Sequence, residues 1–464
     1  MSDLLYTIRE YTIEDLENIY SLLSDQKTME HWPTPFSYKE AKDWLEMNID
    51  SYKTKSLGRL GIFNENFLIG DIGFLVRDKI DFGFIIRNEY QNKGIGEFYS
   101  RKIINEYFES NFEPIYLNTA KDNINAIKLG FVKKSEFYNS KNRNKLTEEF
   151  IYDGIIKEYH FENEYIKISF TNFGASLTSI ETKDYMGKWN NILLKYLHLN
   201  DYRNNPAFMG SIVGPTAGRI KDGKFLLNNN EYILDKNFFG HNIHGGWNNL
   251  SHSNWDVQKV ENGYKLILKH KGNGFLVDVE YSVEYLINEN VLSVIICATP
   301  KEDTIINLTL HPYFKLDDKL ELSETYISIP SKYSLFLDNE NIPTGELSSV
   351  EDTKYDFRNE EKILSRGEYD NVWLLDEKWL TLYSRSSKRE ILFKTNQNYV
   401  VIFTQNGVEE NILQSGRKAY IHEAVAIEFQ NIPNGINISE EHGSIVRKGE
   451  TYTNKLDMIF TTRD

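Results

Sequence analysis

The sequence predicts a two-domain chain, an α/β unit over residues 1–158 followed by a large all-β antiparallel sandwich over residues 159–464. Three observations predict it. At 464 residues the chain exceeds one ordinary domain. Amphipathic helical patterns fill much of the first part and nearly vanish after it. In the later part, short alternating strands recur between Asn, Gly and Asp turns. Dense strands over about 300 residues build a wide sandwich rather than a small barrel.

Composition narrows the function. A formal net charge of -15 argues against nonspecific nucleic-acid binding, which depends on neutralising phosphates. The single cysteine, Cys297, lies in the apolar run Val294–Ala298 and reads as a buried strand residue. One cysteine permits no disulfide within the chain and no cysteine-based metal site. Met1–Leu5 has no basic stretch leading into a long apolar one, and no apolar run is long enough for a bilayer, so a soluble, cytoplasmic protein is expected.

In the first unit, Leu5–Glu10 alternates as a strand. Thr12 and Asp15 start a helix running through Leu22. Pro33 and Pro35 break the chain beside His31, and Ser37 with Glu40 forms the capping box of a second helix carrying Ala41, Trp44, Leu45 and Ile49. Strands follow at 59–63, 67–76 and 80–86. The stretch Gln91, Asn92, Lys93, Gly94, Ile95, Gly96 then opens a third helix. A glycine-bearing turn at a helix N-terminus offers backbone amides to an anion.

This stretch meets the Gln/Arg-x-x-Gly-x-Gly/Ala signature, and the unit resembles the GCN5-related N-acetyltransferase family. Asn123, Ala126 and Leu129-Gly130-Phe131 match later family positions, with 116–119 as the strand before them. The resemblance implies that residues 91–96 and Asn123 bind acetyl-CoA and that the acetyl group passes to an unidentified amine acceptor. Six residues separate Asn123 from Gly130, about one helical turn fewer than is usual in the family. No general base is placed by the sequence: Glu65, Asp71 and Asp81 lie near the meander, where surface solvation explains each equally well.

A closing strand at 150–157 and a short junction near 158–164 lead into the second unit. There, Asn307–Phe314 reads as an apolar strand that delivers His311 and turns at Pro312. His244 precedes two glycines, which permit close backbone approach. Arg219 sits among small residues, where its fork can reach sugar oxygens. Asp370 begins an apolar strand. Glu428 interrupts another, where burial raises a carboxylate toward a useful base. Together these residues read as a general acid–base site for a sugar.

The same residues carry a second resemblance, to the aldose 1-epimerase (galactose mutarotase-like) family. Four ordered motifs support it: Asn172–Ala175, Gly214–Phe225, Asn242–Gly246, and the settings of His311 and Glu428. The resemblance implies that His311 is the general acid, Glu428 the general base, and Arg219, His244 and Asp370 the sugar contacts. It implies no metal and no redox cofactor. Pro215, Asn434 and the segment Trp247–Leu250 depart from the usual pattern and bear on sugar specificity. The expected partners are thus a small aldose, acetyl-CoA and an amine, without nucleic acid or membrane. The oligomeric state is not legible. The alternative is a non-catalytic carbohydrate-binding or sensing protein with a degenerate acetyltransferase domain. A metal site at His241, His244 and His311 is the weaker competitor, because the first two straddle a turn.

Overall fold

A computed structural model describes residues 6–30, 32, 34–55, 57–91, 93–110, 113–120, 129, 131–140, 144–270, 272, 277–409 and 411–463. The chain divides into two compact units, Met1–Ile155 and Ile156–Asp464. The stretch read as a junction is therefore already sheet. Glu158–Glu162 pairs with Ile166–Thr171, and its Tyr159 and Phe161 pack on Phe170 and Tyr264.

In the first unit the strands are β1 (Thr7–Arg9), β2 (Arg59–Asn64), β3 (Phe67–Val76), β4 (Ile80–Ile86), β5 (Ile115–Ala120), β6 (Val132–Asn139) and β7 (Lys145–Tyr152). The helices are α1 (Leu16–Leu23), α2 (Tyr38–Lys55) and α3 (Ile95–Ser110). Among the described residues the strands form one sheet, β1-β2-β3-β4-β5-β7-β6. The capping box at α2 forms as read: the Ser37 N–H donates to Glu40 at 2.7 Å and the Glu40 N–H to the Ser37 hydroxyl at 3.3 Å. Ile19, Leu22 and Leu23 of α1 and Ala41 and Leu45 of α2 fill one core with Leu68 and Ile85. A second core is filled by Ile95, Tyr99, Ile103 and Tyr107 of α3. The two cores follow from a sheet whose successive side chains point to opposite faces.

Three sequence expectations change in this unit. The closing strand ends at Tyr152 and starts at Lys145, earlier than read. Asp71 is not a solvated surface acid. It is 1% exposed, receives the Arg59 Nε–H at 2.7 Å and the Tyr11 hydroxyl at 2.8 Å, and is consumed by that buried ion pair. Asp81 is half-buried, and burial raises its pKa.

The second unit is antiparallel throughout its sheets. Among the described residues the largest sheet runs, in spatial order, Asp256–Val260, Gly263–His270, Val279–Asn288, Val291–Pro300, Tyr452–Thr462, Arg389–Thr395, Trp379–Ser384, Thr325–Ser328 and Glu361–Lys362. A second sheet runs Tyr313–Phe314, Val425–Gln430, Tyr399–Phe403, Asp370–Leu374, Tyr333–Leu337 and Pro343–Ser349. One hydrophobic core takes Tyr281, Val283, Met458 and Phe393 from the first, and Phe314, Ile427, Phe429, Ile402 and Trp373 from the second. This is the large sandwich the strand pattern predicts. Cys297 departs from its expected burial. It faces away from the core while its neighbours Ile296 and Ala298 point in, and its thiol lies 3.8 Å from the Thr453 hydroxyl.

The segment 304–314 is not one strand. Thr304–Ile305 pairs with Ile445–Val446, Thr309–Leu310 with Ile212–Val213, and Tyr313–Phe314 with the strand Val425–Gln430. The exchange of partners falls at His311-Pro312. Pro312 has no N–H to continue a ladder, so the chain leaves one strand and joins another there.

Candidate functional site

The sheet register assembles the site. In the strand Val425–Gln430, Val425, Ile427 and Phe429 enter the core, so Ala426, Glu428 and Gln430 face the other way. The same alternation turns Val401 and Phe403 to that side from their strand, and Asp370 and Val372 from theirs. Asp370 pairs with Phe403, Phe403 with Ala426, and Ala426 with Tyr313. Carried two residues back from Tyr313, this register brings His311 beside Glu428. Their contact is direct: His311 Nε2 lies 3.2 Å from Glu428 Oε1.

Both groups are buried, His311 5% and Glu428 4% exposed. Burial favours the neutral form of each. It lowers the His311 imidazole to about 4 and raises the Glu428 carboxyl to about 8. The Asp370 charge pushes Glu428 further up, and Arg219 pulls it back. Around neutrality the pair therefore holds one proton between its facing atoms. His311 Nδ1 and Glu428 Oε2 have no hydrogen-bond partner among the described residues, leaving polar atoms at a buried site for a ligand to meet.

His311 is held rigidly. Its N–H donates to the Ser211 carbonyl at 3.0 Å, and its carbonyl accepts the Gly210 N–H at 2.8 Å. His244 reaches the site from the strand Asn242–Ile243, which pairs with Arg219–Ile220. Its Nδ1 accepts the Gly218 N–H at 3.2 Å, so the proton of the neutral ring sits on Nε2. Burial, the His311 ring and the Arg219 charge keep that imidazole neutral, its pKa well below the ordinary value. Its ring centroid is 5.7 Å from that of His311. The backbone of His244 has a φ of 52°, and Gly245 and Gly246 follow at 88° and 82°. A Cβ at Gly245 would meet the Gly214 carbonyl oxygen at 2.4 Å. This is the close approach that the two glycines predict. Arg219 Nη2 lies 3.3 Å from Asp370 Oδ2, closing the group of five.

His241 stands apart from this group. Its Nδ1 accepts the Asp222 N–H at 3.0 Å, and its Nε2 is 3.4 Å from Glu340. Of the aromatic residues next to the site residues in sequence, Phe314 and Trp373 are core residues, whereas Tyr313 faces the site. Three other rings, not singled out in the sequence, take that place. Phe208 packs 4.6 Å from His244 and 6.5 Å from His311, measured between ring centroids. Phe238 lies under the Arg219 guanidinium at 5.3 Å, and Phe403 lies between Asp370 and Ala426. No local signal marked them, although the alternation around Phe403 points it to the Glu428 side once the register is known.

A further residue missed in the sequence is Asn307, 4% exposed. Its backbone joins the segment that leads to Arg219: its N–H donates to the Pro215 carbonyl at 2.8 Å, and its carbonyl accepts the Ala217 N–H at 2.7 Å. Its side chain binds Asn431, three positions after Glu428.

In the first unit, β4 and β5 run parallel and, among the described residues, pair only at Ile80 with Ile115 and Asp81 with Tyr116. Beyond those pairs the strands part, beside the start of α3. Gly94 has a φ of 76° with open space around it, and a Cβ on Gly96 would meet the Phe84 ring at 2.8 Å. Gln91 does not extend outward, since its Nε2 donates to the Ile86 carbonyl at 3.0 Å. Lys93 lies 5.0 Å from the Tyr90 ring. Asn92, Asn123, Ala126 and Gly130 lie outside the described residues, as do His31 and Pro33.

The comparisons with known proteins agree with both halves. The aldose 1-epimerase family model matches residues 157–458, and the acetyltransferase (GNAT) domain model matches residues 6–132. An aldose 1-epimerase of Streptococcus thermophilus is 32% identical over 62% of this chain and 89% of its own length. A galactose mutarotase of Rattus norvegicus is 24% identical over 64% of this chain and 92% of its own. The crystal structure of an aldose epimerase homologue from C. elegans superposes with a TM-score of 0.64 at 22% identity, covering 67% of this chain and all of that one. The chain belongs to the aldose 1-epimerase family, and it carries a GNAT acetyltransferase domain ahead of the epimerase domain.

Proposed function

We propose that the second unit interconverts the α and β anomers of an aldose by opening and closing its cyclic hemiacetal. The observation that carries this reading is the buried 3.2 Å contact between His311 Nε2 and Glu428 Oε1. Ring opening needs a base at the anomeric hydroxyl and an acid at the ring oxygen. In one tautomer of the pair, Glu428 is ionised and His311 carries the shared proton. Glu428 takes the hydroxyl proton, the C1–ring-oxygen bond breaks, and His311 protonates the departing oxygen. The pair is left as a neutral carboxyl and a neutral imidazole, the forms that burial favours. The aldehyde turns about C1–C2 and the steps reverse on the other face, so one proton is conserved and no electrons are gained or lost.

The neutral His244 donates its Nε2–H to sugar oxygen, and Arg219 and Asp370 fix the ring through its hydroxyls. Each member of the acid–base pair contributes about 100- to 10,000-fold. NMR exchange between anomers, on a panel of aldoses, tests the reading with Glu428→Gln and His311→Ala. A loss of that size in both variants is expected. Unchanged exchange in either one removes the assigned role.

For the first unit the proposed reaction is transfer of acetyl from acetyl-CoA to an amine. The parting of β4 and β5 beside the N-terminus of α3 supports it. An extended ligand fits between separated strands, and a pyrophosphate suits the amide-rich helix start. Calorimetric titration of acetyl-CoA into the full chain tests this reading.

A further inference from the structure

Phe208 has a φ of 53°, a left-handed conformation that a bulky side chain rarely adopts and that glycine takes freely. Its ring is half-buried and takes no part in the core that fills the sandwich, so core packing does not account for the strain. Among the described residues its ring neighbours are three imidazoles: His244 at 4.6 Å, His252 at 5.9 Å and His311 at 6.5 Å between centroids. Strain of this kind persists where the surroundings impose it, and it gathers at functional sites.

The surroundings that impose it are hydrogen bonds of a double turn. The fully buried Asn205 is its hub. Asn205 Oδ1 accepts the Met209 N–H at 2.7 Å and the Tyr196 hydroxyl at 2.9 Å, and its Nδ2 donates to the Met209 carbonyl at 3.1 Å and the Ser211 hydroxyl at 3.0 Å. The Phe208 N–H closes the first turn on the Asn205 carbonyl at 3.1 Å, and the Ser211 N–H closes the second on the Phe208 carbonyl at 3.0 Å. Tyr313 donates its hydroxyl to the Ala207 carbonyl at 3.2 Å. The turn ends in Gly210 and Ser211, whose backbone groups grip that of His311. The backbone that presents Phe208 is therefore fixed to a residue that its ring approaches.

We infer that Phe208 is a positioning residue for His244 and His311, its ring set against both imidazoles by the Asn205 turn. This role rests on the ring-opening reading. The two imidazoles stand 5.7 Å apart with their planes at 88°. A ring packed against both limits their rotation about Cβ–Cγ. His311 Nε2 then stays on Glu428, and His244 Nδ1 stays on the Gly218 N–H.

Phe208→Gly tests the assignment in the full chain, because glycine relieves the strain and removes the ring together. Anomer exchange on the aldose panel gives kcat and KM, thermal unfolding gives stability, and imidazole nitrogen NMR gives the tautomers. In Phe208→Gly, kcat should fall by about 10- to 100-fold, the scale for a misplacement of about 1 Å. KM should hardly change, and the melting temperature should not fall. His244 should pass from the single Nε2–H form to a mixture of tautomers. Phe208→Tyr keeps the ring and should keep most of kcat and the single tautomer. An unchanged kcat in Phe208→Gly overturns the assignment, whether stability falls, which marks plain packing, or KM rises, which marks a sugar contact. A joint fall of kcat and melting temperature is decided by the tautomer spectra. If the wild type exchanges no aldose, the ring-opening reading fails and the same spectra still decide: an unaltered His244 signal in Phe208→Gly overturns the positioning role.

Discussion

The side chain of Asn307 is hydrogen-bonded to both backbone groups of Asn431: it accepts the Asn431 N–H at 2.9 Å and donates to the Asn431 carbonyl at 3.0 Å. One amide thus ties the segment carrying His311 to the strand carrying Glu428, while its own backbone binds the segment that leads to Arg219. The strand Thr309–Leu310 pairs with Ile212–Val213 instead, so the polar bridge supplies part of the lateral tie near the catalytic pair.

Asn307→Ala removes that tie and leaves the half-buried Asn431 backbone groups without these partners, a cost of at most about 1 kcal/mol each. The expected outcome is a fall in kcat larger than any rise in KM, because Asn307 does not reach the sugar. Asn307→Asp keeps the acceptor and loses the donor, and it should retain more activity than Ala. A purely structural role would show instead as lowered thermal stability with kcat intact.

The pH profile follows from the shared proton. Below about 4 the pair gains a second proton and Glu428 ceases to be a base; above about 8 it loses its proton and His311 ceases to be an acid. Anomer exchange should therefore give a bell between those limbs, which belong to the pair as a whole. A profile flat from pH 4 to 9 contradicts the shared-proton account.

Asp370→Asn removes the nearby charge that disfavours ionisation of Glu428. The alkaline limb should move to lower pH, and KM should rise as a sugar contact is lost. Arg219→Gln should move the same limb upward, since Arg219 pulls the Glu428 pKa down. Profiles that shift together in the two variants would rule out this electrostatic account.

In the first unit, Asp71→Ala leaves Arg59, 3% exposed, as an unpaired buried cation. Breaking a buried pair in this way costs about 3–5 kcal/mol. Denaturant unfolding of the full chain should show that loss in one transition, with anomer exchange unaffected. Asp71 acting as the acetyl-transfer base would show a different signature: normal stability and lost acetylation.

Gly96→Val tests the anion site at α3. Its side chain meets Phe84, whose ring lies 2.8 Å from the Cβ position, so the helix start must shift. Acetyl-CoA affinity should fall in calorimetry while aldose exchange stays unchanged. If the unaltered protein takes up no acetyl-CoA, the acetyl-transfer reading of the first unit is withdrawn.

By itself, the sequence determined the two fold classes, the capped second helix and most strands of both units, and it singled out His311, Glu428, His244, Arg219 and Asp370 as candidates. The signals are local ones, such as period, cap, glycine pair or a carboxylate interrupting an apolar strand, together with the ordered motifs of the family resemblance. Only the tertiary structure decided how they meet. The change of strand partner at His311-Pro312 and the register from Tyr313 through Ala426 to Asp370 depend on pairing between distant segments, and a one-residue slip would turn Glu428 into the core. The same dependence hid Asn307, Phe208 and Phe403, whose neighbours lie far away in the chain, and it turned Asp71 from a surface acid into half of a buried ion pair.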